Sequence, residues 1–426
     1  MEATTRRGLD PVRRTLDNDA VVLVKETRTT PAVTISVAVS AGGIYEREDR
    51  LGLANFLSRV IDRGTARRAA EEIAEGLDAR GVTLSTAATR HSVLLSCTCL
   101  SEDFDFILRL LGEVVTEPTF PAEEVEKRRA EIVTSIRQDL DSPAAVAVEE
   151  LFGLLYPDGH PYGRPAKGRI ASVERIDRVA LQDFHAARFA PANTSIVIVG
   201  DVTGRRAIDA AAAVFGGWRV PAVAPAPLAP PPLADRRRQT VVPMMNKSQA
   251  DIAYGFTTIT RADPRHEAFT LMNCALGQYA LGGRLGESIR ERQGMAYYVF
   301  SSFEGTVVEG PLVIRAGVSP ANVERALASI DAEVARIALE GPTAGELADC
   351  KRFLVGSMPR MLETNAGIAR FLQTVEFFGL GADYDVRLPA ALEEVTLDEV
   401  RAAAATLSPD RAAVAVAGPY QAERDG

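Results

Sequence analysis

Catalysis and metal binding need nucleophiles, bases, ligands or clustered charges at spacings that bring them together, and this 426-residue sequence offers few. Its four histidines, His91, His160, His185 and His266, are too far apart in sequence for any two to form a local ligand pair. Cys97 and Cys99 lie in SVLLSCTCL, whose period-2 alternation puts Val93, Leu95, Cys97 and Cys99 on one strand face. That is a pattern of buried packing rather than of a metal site. Cys274 and Cys350 stand alone, so no disulfide framework is expected. Glu149 and Glu150 are neighbouring carboxylates with no histidine near them and read as a solvated helix face. Gly282 and Gly283 precede a helix and could cradle an anion, but no lysine or downstream acid completes a nucleotide site, so packing or chain-turning is the better reading. Arg290 and Tyr297, in IRERQGMAYYVF, set an arginine on the last turns of a helix and a tyrosine just beyond its Gly294 stop. Taken alone, such a spacing is a common accident.

The elements that must position these residues belong to a globular chain. Hydrophobic residues make up 46% and charged residues 25%, which supplies ample apolar surface to bury and excludes wholesale disorder. Lys and Arg number 48 against 57 Asp and Glu, a net charge of −9 without a long basic run, which argues against nucleic acid as a partner. No apolar stretch approaches the ~18 residues of a membrane helix. The segment MEATTRRGLDPVRRTLDN lacks the apolar core of a secretory signal. The expectation is a soluble, cytoplasmic chain with no membrane partner.

At roughly 150 residues per domain this length implies two to four domains. A proline-rich stretch, residues 220–239, reads as an extended, semi-rigid linker between an N-terminal domain, 1–219, and a C-terminal domain, 240–426. The halves look like copies. FAPANTSIVIVGDV closes the first and LSPDRAAVAVAGPY the second, each preceded by a helix-like segment, and Gly52/Gly64 and Gly282/Gly294 both bracket an amphipathic stretch. VVLVKET, AVTISVAVSAG and SVLLSCTCL carry strand-like alternation. SEDFDFILRLLGEVV reads as a helix with a serine N-cap, and PAEEVEKRRAEIVTSIRQDL as a long amphipathic helix that restarts after Asp141 and Ser142 with Pro143 at the first position. ADIAYGFTT reads as a strand that could expose an edge to an extended peptide. The layout is α+β, two similar duplicated domains, each a mostly antiparallel sheet with helices packed on it.

SAGGIYEREDRLGLANFLSRVIDRGT resembles the entrance segment of the pitrilysin/insulinase zinc peptidases, and most nearly their half-length, mitochondrial processing peptidase-like branch. Further landmarks follow in order: EKRRAEIVTSIRQDLDSP, YPDGHPYGRPAKG, FAPANTSIVIVGDV and LGGRLGESIRERQGMAYYVF. Within this resemblance His160 and Tyr162 belong to a structural turn. The family's chemistry uses an inverted zinc motif, H-x-x-E-H, on one helix and a glutamate from a later helix. Two histidines four apart bind the metal and the glutamate takes a proton from the metal-bound water. The five matching positions here read Asn55, Phe56, Leu57, Ser58 and Arg59, and the paired glutamates fall on Thr134 and Ser135. Gly52-Leu53-Ala54 and Gly64-Thr65 set the register. Asn55, Ser58 and Ser135 are poor zinc ligands, and the Arg59 guanidinium places a permanent charge where a metal would sit.

The resemblance implies a different role for the second half. Arg290 and Tyr297 match the family's arginine–tyrosine pair, which holds the substrate backbone and supports the oxyanion of the tetrahedral intermediate. The expectation is therefore a non-catalytic subunit without a metal of its own, partnered by a homologous chain that carries H-x-x-E-H and zinc and cleaves unfolded peptides. Two other readings are a scaffold subunit without a catalytic share, and a stand-alone homodimer that binds peptides.

Overall fold

The computed structural model describes residues 8–223, 227–279 and 282–421. In chain order its strands are β1 (Val12–Thr15), β2 (Val21–Glu26), β3 (Ala32–Val39), β4 (Ser85–Ala88), β5 (Val93–Leu100), β6 (Thr194–Gly200), β7 (Arg238–Pro243), β8 (Ala250–Thr257), β9 (Ala296–Phe303), β10 (Pro311–Val318) and β11 (Ala413–Gly418). The helices before the proline-rich stretch are α1 (Leu53–Val60), α2 (Ala70–Asp78), α3 (Phe104–Thr116), α4 (Ala122–Leu140), α5 (Pro143–Leu155), α6 (Ile170–Val173), α7 (Arg178–Arg188) and α8 (Gly204–Phe215). Those after it are α9 (His266–Asn273), α10 (Val323–Glu340), α11 (Ala344–Met361), α12 (Asn365–Phe377), α13 (Tyr384–Glu394) and α14 (Leu397–Ala404). π-helical turns cover Cys274–Gln278 and Gly286–Arg292.

The strands form two sheets, β1-β2-β6-β3-β5-β4 and β7-β11-β8-β10-β9. Apart from the added edge strand β1, the two have one topology. β2–β6 corresponds to β7–β11, the parallel pair of each sheet, and β3, β5 and β4 follow antiparallel as β8, β10 and β9 do. The architecture is thus α+β with two mostly antiparallel sheets. The likeness reaches the backbone detail that ends β6 and β11. Gly200 and Gly418 both have left-handed φ, +145° and +140°, and a Cβ on either would lie 2.2 Å from Ala32 O or 2.6 Å from Ala250 Cα, at the start of the neighbouring strand. No side chain fits there, which is why both closing segments carry glycine nine residues after proline.

The compact units do not follow the two halves of the sequence. The first takes the chain through Ile136, the stretch from Pro165 into the proline-rich segment, and Pro359–Val386; the second takes Arg137–Arg164, the chain on to Met358, and everything from Arg387. These units divide the chain differently from the expected limits 1–219 and 240–426: α5 lies with the second sheet and α12 with the first. The reason is that the central strands bury both faces. β8 turns Ala250, Ile252, Tyr254 and Phe256 into a core with α9, α10 and α14. On its other face, a Cβ on Gly255 would meet Leu151 and Leu155 of α5 at 3.3 and 3.4 Å. In the first unit Ile368, Phe371, Leu372 and Val375 of α12 pack on Leu23, Val197 and Val199. There the Gln373 amide donates to Ser36 O (3.0 Å) and accepts from Ser195 Oγ (2.6 Å). Burying a second apolar face at about 25 cal/mol per Å² favours this exchange over leaving it wet.

Other expectations differ in detail. β8 lies between β11 and β10, so ADIAYGFTT offers no free edge; the edges of the second sheet are β7 and β9. Arg238 and Gln239, the last residues of the expected linker, already belong to β7, and residues 224–226 of that linker lie outside the described residues. Ser101 does not cap α3 but opens a 3-10 turn, its hydroxyl reaching Asp201 (3.4 Å). Cys97 and Cys99 are buried side by side in β5. Cys274 and Cys350, isolated in sequence, meet in the second core, where the neighbouring sulfur and then burial push the Cys350 thiol up.

Candidate functional site

α1 is the helix on which the zinc motif of the family would lie. Glu46 anchors its start: the buried carboxylate accepts from the backbone N–H of Gly52 and of Ala54, both at 2.8 Å, offsetting the unpaired donors at a helix N-terminus. The helix buries Leu53, Ala54, Phe56, Leu57, Ser58 and Val60, which leaves Asn55 and Arg59, four apart, on its outward face. Arg59 is exposed and Asn55 half-buried. Ser58 is buried, and its hydroxyl donates to Asn55 O (2.8 Å) one turn back, so its hydrogen is committed to its own helix. Asp62, four residues beyond Ser58, pairs with Arg63 (3.1 Å), and burial pushes its carboxyl up against the pull of that guanidinium.

α4 lies against the same region. Arg129 donates to Val173 O (2.7 Å) and Ile176 O (2.6 Å) and sits over the Phe56 ring at 5.4 Å. Near the end of α4, Thr134 is exposed and bonds back to Ala130 O (2.8 Å). Ser135 is half-buried and accepts a hydrogen bond from Lys167 Nζ (2.8 Å). Zinc does not fit this set. Two hydroxyls, an amide and one guanidinium stand at the positions matched to three ligands and a base, with the Lys167 ammonium beside them, and among the described residues no group of three His, Cys, Asp or Glu could hold a metal. The sequence gives no signal for Lys167, which is 32 residues from Ser135 and reaches it only through the fold.

The second unit holds Arg290 and Tyr297. Arg290 lies in the π-helical turn Gly286–Arg292, with its side chain 48% exposed and a loose 3.7 Å contact to Glu291. The preceding backbone is anchored by Arg284, which is buried and bonds Glu346 through two nitrogens (2.7 and 2.9 Å) and Gly341 O (2.9 Å). Tyr297 is 64% exposed near the start of β9. The pairing explains how. Gly317 faces Tyr298 and Val318 faces Ala296, so Tyr297 is the extra residue of a β-bulge, left out of the ladder. A bulge bends its strand and re-aims the residue it carries. Tyr298 holds the next position by donating to buried Asp251, whose carboxylate also accepts from Gln249 Nε2 (3.2 Å to each oxygen). His160, by contrast, is engaged at both ring nitrogens, by Tyr162 N–H (3.1 Å) and Ala229 O (3.0 Å), which is a structural turn. Glu149 and Glu150 are exposed on α5. A Cβ on Gly283 would meet Gly277 Cα at 2.9 Å, so close packing occupies that glycine.

The Glu346 carboxyl yields a pH prediction. Burial would raise its pKa, but the hydrogen bonds of Arg284 and the Thr343 backbone prevail and hold it at about 2. A carboxylate depressed in the folded state adds stability that is complete above its unfolded value near 4.5 and is lost as pH falls toward 2. Part-exposed and screened, the pair is worth about 1 kcal/mol. Urea midpoints of the protein should therefore fall between pH 5 and 3 more steeply than those of Glu346→Gln; parallel slopes would refute this assignment.

Residues 21–156 match the insulinase family, peptidase family M16, and residues 175–354 match the peptidase M16 inactive domain. The chain belongs to the insulinase peptidase family. This insulinase-family chain is 27% identical over 422 residues to an uncharacterized zinc protease of Mycobacterium tuberculosis, covering 98% of this chain and 95% of the relative. A Bacillus subtilis protein, also an uncharacterized zinc protease, is 23% identical and covers 96% and 98%. Among solved structures, a peptidase M16 inactive domain from Pseudomonas fluorescens superposes with a TM-score of 0.89 at 28% identity, covering 98% of this chain and 99% of that one. A protease from Helicobacter pylori shares the fold, with a TM-score of 0.89 at 18% identity, 97% and 100% covered. The insulinase-family chain has no described helix long and apolar enough to cross a membrane.

Proposed function

We propose that this chain is the non-catalytic subunit of a two-chain zinc endopeptidase that cleaves unfolded peptides in the cytoplasm. Its partner is a homologous subunit carrying H-x-x-E-H and the zinc. The observation that carries the reading is an asymmetry between the two units. The positions of the zinc motif hold Asn55, Ser58, Arg59 and Ser135, none able to replace its ligands, whereas Arg290 and Tyr297 are present and exposed, Tyr297 on a bulge. A scaffold has no use for an exposed arginine and tyrosine so placed.

In this reading the chain does not generate a nucleophile. Arg290 offers a fork of N–H donors to a peptide carbonyl, and the Tyr297 hydroxyl donates to the oxygen on which negative charge develops. Among the described residues Arg290 makes only the loose Glu291 contact, so it gives up no strong partner to do so. The test is affinity capture of the chain from its native cells, with the eluate assayed on an unfolded peptide with and without chelator. A stoichiometric H-x-x-E-H partner and chelator-sensitive cleavage would support the proposal. An inactive assembly with unrelated proteins would replace it by the scaffold reading, and recovery of the chain by itself by the peptide-binding homodimer.

A further inference from the structure

The misfit between this chain and zinc goes beyond missing ligands. We propose that the ammonium of Lys167 takes the place of the metal, as a resident cation that closes the degenerate site to divalent ions even when ligands are supplied. The inference rests on the register that puts Ser135 at the third-ligand position, and not on the partner reading above.

Three observations carry it. First, Lys167 Nζ donates to Ser135 Oγ at 2.8 Å, so a full positive charge already sits within one hydrogen bond of the position from which the family's later helix reaches its metal. Zinc binds carboxylate oxygen at about 2.0–2.2 Å, so a metal held by a side chain at this position and the ammonium would be near neighbours of like charge. Second, the backbone that carries the lysine is fixed. Gly52 and Gly168 are both left-handed, at φ +91° and +75°, and interlock: a Cβ on Gly52 would lie 2.3 Å from Lys167 O, and one on Gly168 2.1 Å from Leu51 O. Ser172 Oγ also donates to Leu51 O (2.8 Å) while accepting from Arg169 N–H (2.9 Å), tying the segment after Lys167 to the start of α1. Third, the α1 face adds charge of the same sign, since Arg59 follows Asn55 by one turn on the outward side. Lysine is suited to this role because its compact charge rides on a stem long enough to bridge from a loop to a helix.

The physical consequence is that ligand restoration and metal binding are uncoupled. A carboxylate introduced at position 135 would pair with Lys167 before it could meet a metal. The experiment compares two variants of the full chain with zinc ion itself as the probe. One carries Asn55→His, Ser58→Glu, Arg59→His and Ser135→Glu; the other adds Lys167→Met, which keeps the length of the stem and removes the charge. Zinc is measured by metal analysis after dialysis and by competition with a chromophoric chelator, and thermal melting reports folding with and without the ion. The expected result is one zinc per chain and a zinc-dependent rise in Tm for the five-fold variant, with affinity at least ~100-fold weaker in the four-fold variant. Should the methionine variant fail to fold, Lys167→Ala and Lys167→Gln provide the same comparison. Equal zinc affinity with and without the lysine, or no zinc in a folded lysine-free variant, would overturn the proposal. The outcome is independent of whether a peptidase partner is found.

Discussion

Arg290→Ala and Tyr297→Phe are each expected to lower peptide turnover by the captured assembly about 100-fold, the scale on which an oxyanion donor acts in acyl transfer. Both side chains are exposed, Arg290 paired among the described residues only with Glu291 and Tyr297 standing on its bulge, so their removal should change stability by no more than about 0.5 kcal/mol. A fall in turnover with an unchanged Tm therefore speaks of chemistry rather than of folding. Arg292 supplies the control. It lies in the same π-helical turn but is paired with Glu287, so Arg292→Ala should leave turnover close to that of the parent. Tyr297, as a donor acting only in the transition state, should on removal lower kcat and kcat/KM together and leave KM alone, whereas loss of Arg290, which also holds the bound peptide, should raise KM as well. If both variants retain full activity while the partner still binds, the shared-site reading is wrong and the scaffold reading stands.

Gly168→Ala is the second large effect. The residue is left-handed at φ +75°, a conformation that costs a side-chain-bearing residue roughly 1–2 kcal/mol, and the new methyl would lie 2.1 Å from Leu51 O, which is backbone and cannot rotate away. Forcing that contact apart adds about 1–3 kcal/mol, the range of overpacked sites. A total near 3 kcal/mol is expected from urea denaturation. Gly81→Ala separates the two contributions, because Gly81 is also left-handed, at φ +61°, but a Cβ there meets nothing within 4 Å. It should lose only the conformational part. Comparable losses at both glycines would remove the idea that the Lys167 segment is clamped against α1.

Much of the fold is legible in the sequence because alternation and helical spacing are local. The period-2 pattern of SVLLSCTCL places Val93, Leu95, Cys97 and Cys99 on the buried face of β5, and Pro143 opens α5. The duplication is legible too, since a glycine that must pass close to a neighbouring strand recurs at Gly200 and Gly418. The α5 and α12 exchange is not. An amphipathic pattern states that a face will be buried, and says nothing of which sheet will bury it. For the same reason ADIAYGFTT reads as a plausible edge and proves to be the middle strand β8.

The chemistry divides along the same line. Which groups exist is written in the residues alone: no histidine or glutamate at positions 55, 58, 59 and 135, and an arginine and a tyrosine at 290 and 297. Composition at a motif is a local property, and no folding can supply an absent ligand. How those groups are presented depends on contacts between distant segments. The bulge that takes Tyr297 out of its ladder exists only in the pairing of β9 with β10, and the lysine that meets Ser135 arrives from a segment 32 residues away, held there by two glycine backbones that allow no side chain between them.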